Sequence, residues 1–276
     1  MERFGRAPDT LRLAGVTLLA AAAVYALAVG TGAGREWDAS LVGMAVDGGE
    51  RRTAIAVAHA VNPATAVLAV LAVAVLASRR GGRPVAVAAV AIAGGGPVAA
   101  IALEWGLGAL DPTGGEEARA LGSAFFPSGH ATVVTAVALA ALLATQGTGS
   151  RVRPAVAGIA AALLAAPQFL LAWHHPSDVL GGVLLAIAWA AAVTHVLLPD
   201  GEVPNREGNS ARRGLAVLAI LLTTAAVLAE ALPAPMPAVL TTLAVVTTAA
   251  WGTVAFAALP LTAEARRRSR SWAPHR

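Results

Sequence analysis

Two short polar segments of this chain carry side chains that could act together as acid, base or nucleophile. The first runs from Pro127 to His130 and the second from Trp173 to Asp178, and each stands directly before a long apolar run. An ionisable side chain is costly in apolar surroundings. Two such segments in one apolar chain therefore predict a functional site.

The first segment is suited to binding an anion. Ser128 is a plausible N-cap, Gly129 lets a ligand approach the backbone closely, and His130 falls in the first turn of the following helix. Free N–H groups and the positive end of the helix dipole favour phosphate there, even without a Lys or Arg. The alternative is an ordinary capped helix in which Pro127 and Gly129 only mark the turn.

The second segment pairs an imidazole with a carboxylate. His174 and Asp178 are four residues apart, and Pro176 fits the first turn of the next helix. The carboxylate can reach back to the ring, where it would fix the tautomer and make the other ring nitrogen more nucleophilic. The alternative is an interfacial pair of histidines, His174 and His175, followed by an acid that caps a helix.

The composition identifies the elements that position these segments as membrane helices. Of the 276 residues, 57% are hydrophobic and 13% are charged, and the mean hydropathy is +0.69. A soluble domain carries roughly 25% charged residues, so this composition excludes a soluble enzyme. Apolar runs near the roughly 20 residues needed to cross the hydrocarbon core recur about eight times. Their approximate limits are Leu11–Val29, Ala54–Ala77, Pro84–Leu107, Ala131–Thr145, Pro154–Ala172, Val179–Leu198, Gly214–Leu232 and Ala238–Leu259.

We therefore predict an all-α protein, a polytopic bundle of membrane helices with a six-helix core and two C-terminal helices. The second span contains Asn62 and Pro63, so it is either kinked or begins later. The first run is a membrane span or, alternatively, a cleaved signal peptide. The predicted divisions are the core, a cytoplasmic linker, two additional spans and an Arg-rich cytoplasmic tail, at residues 1–198, 199–213, 214–260 and 261–276.

The distribution of arginine predicts the orientation of the bundle. All 20 basic residues are Arg, and their clusters fall at both termini and in alternate connections. Cytoplasmic loops carry the Arg excess, so we expect a multi-pass protein of the cell membrane with both termini in the cytoplasm and both polar segments outside. The first outer loop goes against the pattern with Arg35, Arg51 and Arg52, which are offset by Glu36, Asp38, Asp47 and Glu50.

The basic balance does not indicate a nucleic-acid partner. The net charge is +4 and the pI is 11.1, but the arginines stand between apolar spans, where they report orientation. Cysteine is absent, which excludes disulfides and Cys-ligated metals. The expected partners are membrane lipids, and the oligomeric state is left open.

Together the two segments resemble the type 2 phosphatidic acid phosphatase family, which also contains the vanadium haloperoxidases. The pattern of that family is K-x6-R-P, then P-S-G-H, then S-R-x5-H-x3-D. Pro127-Ser128-Gly129-His130 matches the middle motif completely, and His174 with Asp178 matches the end of the third. The resemblance covers about Pro84 to Leu198 and implies the six-helix core of the membrane members of that family.

The resemblance implies a phosphatase that hydrolyses a lipid phosphomonoester or diphosphate without a metal or other cofactor. The substrate would be an isoprenoid phosphate or diphosphate, phosphatidate or a similar lipid. In the family, the residue matching His174 attacks phosphorus, the one matching Asp178 orients it, and the one matching His130 protonates the leaving alcohol. Ser128 and Gly129 would bind phosphate oxygens, and water would hydrolyse the covalent phosphohistidine.

The chain departs from the family pattern at the cations expected to bind phosphate. Glu104 and Asp111 stand at the Lys and Arg of the first motif, and Gln168 stands at the Arg of the third. Each lost charged hydrogen bond removes roughly 1.5 to 3 kcal/mol. These replacements favour an alternative function, that of a weak or inactive relative that binds or transports a lipid or other ligand. Arg119 could supply one cation from the loop.

Two cofactor-dependent alternatives fit the sequence less well. A metal site formed by His130, His174 and Asp178 lacks a recognised zinc spacing, and bound vanadate would need the same missing cations. His59 and Asn62, near the outer end of the second span, could line the mouth of the same site.

Overall fold

The computed structural model describes residues 9–42, 48–109, 126–145 and 152–198, together with residues 245, 248–249 and 251–256. Over these residues the regular structure is helical throughout, which confirms the predicted all-α class. The helices are α1 (Asp9–Val24, continued by a π-helical turn over Tyr25–Val29), α2 (Gly32–Val42), α3 (Gly48–Ala60), α4 (Pro63–Ala109), α5 (Gly129–Thr145), α6 (Val152–Ala165), α7 (Pro167–Leu170) and α8 (Pro176–Leu197).

The helices have the length and surface of a membrane bundle. Within the described ranges, three stretches are long and apolar enough to cross a membrane, namely Thr10–Val29, Pro63–Gly108 and Pro176–Leu197. Their outward side chains are apolar too, since Leu19 of α1 is 72% exposed and Leu68 of α4 is 64% exposed. A continuous apolar surface of this kind suits contact with lipid, so the chain is a membrane-associated helical bundle.

The helix α4 contains two arms that correspond to the second and third predicted spans. The arms join at Gly82, whose φ of 74° lies in the left-handed region that glycine adopts at little cost. The first arm begins at Pro63, later than the predicted span. Asn62 Oδ1 caps it by accepting the N–H groups of Ala64 and Thr65 at 3.0 and 3.1 Å, and proline has no N–H to leave unsatisfied at the first helical position.

The fifth predicted span is interrupted before its predicted end. The helix α6 stops at Ala165, and Pro167 begins the short α7 instead of continuing the same helix to Ala172. Proline cannot donate the backbone hydrogen bond that a continuous helix needs there. The resulting turn brings residues 173–175 to the start of α8.

The helix α8 lies at the centre of the bundle and packs against α1, α4 and α5. Trp189 of α8 lies against Gly95 of α4, where a Cβ would stand 2.7 Å from the ring. The Trp189 Nε1 donates to the carbonyl oxygen of Ala91 at 2.9 Å, which fixes the two helices in register. Small and branched side chains of α4, α5 and α8 share one buried core, among them Ala89, Ile92, Leu139, Val183 and Ile187.

The C-terminal predictions fall largely outside the described residues. These are the linker at 199–213, the seventh span and the Arg-rich tail. Residues 251–256 of the eighth predicted span are described, and they pack on the core. Thr253 Oγ1 donates to the carbonyl oxygen of Pro154 at 2.7 Å. Gly252 leaves room for Ile187, because a Cβ at that position would stand 2.1 Å from the Ile187 Cδ1 atom.

Candidate active site

The two polar segments meet where α5 and α8 begin. The N–H of Ser128 donates to the carbonyl oxygen of Asp178 at 2.9 Å. One turn further on, Thr132 Oγ1 lies 2.9 Å from the Ser128 carbonyl oxygen and 3.2 Å from that of Gly182. Gly182 permits this approach, because a Cβ there would stand 2.5 Å from the Ser128 oxygen. Backbone contacts thus hold the two helix starts side by side.

The start of α5 keeps donors that an anion can use. Ser128 Oγ accepts the N–H of Ala131 at 3.4 Å, so Ser128 is the N-cap of α5, as predicted. No described residue accepts a hydrogen bond from the backbone N–H of Gly129 or His130. Such first-turn N–H groups bind phosphate in proteins. Ser128 itself is fully buried, so Gly129 is better placed than Ser128 to contact a ligand.

The rings of His130 and His174 lie close together at this junction, in an edge-to-face arrangement. Their centroids are 6.3 Å apart and their planes are inclined by 64°. The His130 ring also lies beside the backbone of Val61, in the connection between α3 and α4. Both side chains are partly exposed. The two imidazoles are therefore close enough to act on one phosphoryl group.

The carboxylate of Asp178 orients the second segment. Its Oδ2 lies 3.6 Å from Nδ1 of His174, which is an ion-pair distance longer than a normal hydrogen bond. The same oxygen accepts the backbone N–H of His175 at 2.9 Å, and Asp178 is only 1% exposed. One buried acid thus lies beside the ring of His174 and also caps α8.

The backbone of the second polar segment is held by hydrogen bonds to Gln168. Its carbonyl oxygen accepts the N–H groups of Trp173 and His174 at 2.9 and 3.0 Å. Its side chain is fully buried, and neither Oε1 nor Nε2 has a hydrogen-bond partner among the described residues. At the position where the family pattern has an Arg, the chain therefore has a buried neutral amide on a residue whose backbone holds that of His174.

A residue that the sequence analysis did not select, Asp38 of α2, completes the junction. It accepts the backbone N–H of Ser177 at 3.2 Å and the hydroxyl of the same residue, and its Oδ2 lies 3.6 Å from Nδ1 of His175. Burial raises the pKa of Asp38 from 3.8 to about 6, although the Ser177 hydroxyl and His175 act to lower it. The sequence offered no spacing signal for this contact, since 139 residues separate Asp38 from Ser177.

Glu104 brings a further negative charge to the site. It lies near the end of α4, is half-buried, and interacts electrostatically with His174 and Asp178. The acid at the expected Lys position therefore lies within electrostatic range of His174. Asp111, which stands at the expected Arg position of the first motif, and Arg119, the proposed replacement cation, lie outside the described residues.

Two residues are predicted from the sequence to line the mouth of the site. His59 lies edge-on to Trp173, with ring centroids 5.6 Å apart, and Asn62 caps α4. Within the part of the chain that the structure describes, no group of three or more His, Asp or Glu side chains is arranged to hold a metal ion.

Comparison with known protein families identifies the superfamily of the chain. The family model of the PAP2 superfamily matches residues 59–201, a range that includes both polar segments and Glu104 but not Asp38. No curated protein and no solved structure shows significant similarity to the chain.

Proposed function

The chain belongs to the PAP2 superfamily, and from this membership we propose that it is an integral-membrane phosphatase acting on a lipid phosphate. The observation that supports this most directly is the junction of α5 and α8, where the rings of His130 and His174 have centroids 6.3 Å apart and Asp178 lies 3.6 Å from His174. The substrate class is a phosphomonoester or diphosphate of a lipid, such as an isoprenoid phosphate or phosphatidate. A lipid anchored by its tail can present its phosphate at helix ends without leaving the membrane.

The proposed reaction has two steps. Asp178 faces Nδ1 of His174, so Nε2 attacks phosphorus, a P–N bond forms and the P–O bond to the lipid breaks. His130 gives its proton to the leaving oxygen, and the lipid alcohol departs from a monoester or the lipid monophosphate from a diphosphate. Water then attacks the phosphohistidine, His130 takes a proton from that water, the P–N bond breaks, and inorganic phosphate leaves. Gly129 N–H donates to a phosphate oxygen throughout.

On the arginine distribution, we place both termini in the cytoplasm and the site on the extracytoplasmic face of the cell membrane. The site would then act on lipid phosphates in the outer leaflet. Cysteine labelling of the chain, which has no native Cys, tests this orientation directly. A Cys introduced at the exposed Ala172 is expected to react with an impermeant reagent in intact cells.

The phosphatase proposal is tested by phosphate release from a panel of lipid phosphates and diphosphates, in detergent and with a chelator present. We expect turnover by the wild type, and losses of about 100-fold or more in His174→Ala and His130→Ala. His195→Ala is the matched control, since that ring lies near the other end of α8, 3.4 Å from Thr10 Oγ1, and it should keep full activity. Undiminished release by His174→Ala would refute the mechanism.

One observation favours a second function, that of a weak or inactive relative that binds or transports a lipid or other ligand. Glu104 and the neutral Gln168 stand where the family pattern has cations, so the site attracts phosphate less strongly. This alternative predicts that the folded wild type binds lipid phosphate in equilibrium dialysis but releases no phosphate. Turnover above a no-protein control would reject it.

A further inference from the structure

The first turn of α8 is held by an acid from a distant part of the chain. Asp38 accepts both the backbone N–H and the hydroxyl of Ser177, and it also faces Nδ1 of His175. Asp38 is 3% exposed and Ser177 is 5% exposed, so these contacts are shielded from competing water. Three contacts from a single carboxylate define how α2 and the start of α8 sit together.

The two residues that contact Asp38 lie in sequence between His174 and Asp178, the pair to which the reaction is assigned. His174 and Asp178 face each other, while His175 and Ser177, which lie between them in sequence, both face Asp38. Asp178 in turn accepts the N–H of His175. A shift of His175 or Ser177 would therefore move the His174 ring relative to its carboxylate.

The N–H of Ser177 is also the first one that α8 could offer to a ligand. Pro176 precedes it and has no N–H, and the N–H of Asp178 is directed to the carbonyl oxygen of His175. Asp38 occupies the remaining donor. The start of α8 is therefore committed to holding its own histidines, and the donors for phosphate remain those of α5.

We propose that Asp38 is a positioning residue for the His174–Asp178 pair, acting through Ser177 and His175. The inference rests on the proposed function and extends it, because Asp38 lies ahead of residues 59–201, the range that matches the superfamily. A helix outside the matched region thus supplies a part of the site. The chain uses an acid to fix the nucleophile of a site in which Glu104 and Gln168 replace two of the expected cations.

The test compares Asp38→Asn with a matched control, Glu36→Gln, in the full-length protein. Glu36 is an acid of the same helix, but it is exposed. With the lipid phosphate that the wild type hydrolyses fastest, we expect Asp38→Asn to lower kcat by about 10- to 100-fold, because small misplacements of a reacting group cost this much. KM should change less than about threefold, since the α5 donors are untouched. Glu36→Gln should match the wild type, and an Asp38→Asn kcat equal to that of the control would overturn the proposal.

A second variant covers the case in which Asp38→Asn does not fold. Ser177→Ala keeps the acid and its contact with His175 but removes one hydroxyl from the junction. We expect a folded protein, by its elution volume in gel filtration, with kcat lowered by about three- to tenfold. A folded Ser177→Ala with unchanged kcat would overturn the proposal as well.

A readout independent of turnover separates failure of this inference from failure of the proposed function. In protein labelled with [13C]histidine, we expect Asp38→Asn to move the ring resonances of both His174 and His175, whereas Glu36→Gln moves neither. If the wild type releases no phosphate, the proposed function fails, and these spectra still decide whether Asp38 positions His174. An unmoved His174 resonance in Asp38→Asn would then overturn the inference.

Discussion

The two helix starts at the site, those of α5 and α8, each follow a polar segment, but their first backbone N–H groups are used differently. At α5, Ser128 caps the helix locally, and the N–H groups of Gly129 and His130 have no acceptor among the described residues. At α8, proline removes one donor and Asp38 takes the next, from 139 residues away. One start stays open to an anion, and the other is closed by the protein itself.

This difference suggests a division of labour between the helices. An open helix start attracts phosphate and adapts to it, whereas a closed start holds a side chain in one orientation. A nucleophile gains from rigid placement, and a phosphate cradle gains from free donors. In the proposed mechanism, α5 therefore supplies most of the phosphate binding and α8 the nucleophile, and His130 of α5 is the proposed acid.

The largest effect is expected where the two starts touch. In Gly182→Ala, the new Cβ would stand 2.5 Å from the carbonyl oxygen of Ser128, and backbone cannot yield as a flexible side chain does. The starts should separate, lowering kcat by about 100-fold and the free energy of unfolding by about 1 to 3 kcal/mol. Kinetics and thermal unfolding in detergent measure both quantities.

The control for this variant is Gly94→Ala. Gly94 also lies in a helix, but a Cβ there would meet nothing within 4 Å. It should keep full activity and gain up to about 1 kcal/mol of stability, because alanine favours the helix. A Gly182→Ala protein as active as Gly94→Ala would show that close contact between the starts is not needed.

A smaller effect, in the opposite direction, is expected from Glu104→Gln. Removing a negative charge that faces His174 and Asp178 should reduce repulsion of the phosphate and raise kcat/KM by about tenfold. Steady-state kinetics in low salt measure this. Glu36→Gln on the surface of α2 serves again as the charge control and should have no effect. A lower kcat/KM in Glu104→Gln would mean that the acid itself takes part in binding or catalysis.

The smallest effect concerns the pH dependence of the free energy of unfolding. The pKa of Asp38 is raised to about 6 in the folded protein, above its ordinary value of 3.8, so the folded state binds more protons between these values. The contribution of this group to stability is full below about pH 4 and is lost as the pH rises through about 6.

The melting temperatures of wild type and Asp38→Asn, compared between pH 4 and 7, should therefore show a pH-dependent difference of a few degrees. The contributions of titrating groups that do not interact with Asp38 cancel in this comparison, whereas those of His175 and Asp178 are part of the measured difference. A difference that stays constant over this range would show that Asp38 titrates normally.

Local signals in the sequence predicted much of the fold and part of the site. The later start of the second span follows from Asn62 and Pro63, which act on adjacent residues. The cap formed by Ser128 and the proximity of Asp178 to His174 both follow from spacings of three or four residues along the chain. The all-helical class follows from apolar runs, each of which reports its own burial.

Long-range contacts could not be predicted in this way. Asp38 appeared only as an acid that offset nearby arginines, because nothing in its neighbourhood records that α2 packs over the start of α8. The burial of Gln168 is equally invisible, since its position in the chain does not show which neighbours enclose it. Pro167 signals a break, although the predicted fifth span, Pro154–Ala172, runs through it.

The most direct test of the division of labour is to identify the residue that becomes phosphorylated. The protein is mixed with a 32P-labelled lipid phosphate, quenched rapidly in alkali, and analysed for an alkali-stable, acid-labile phosphohistidine by mass spectrometry. We predict the label on His174 of α8 in the wild type, and no label in His174→Ala. Label on His130 of α5, or undiminished phosphate release by His174→Ala, would contradict the assignment of the nucleophile to the closed helix start.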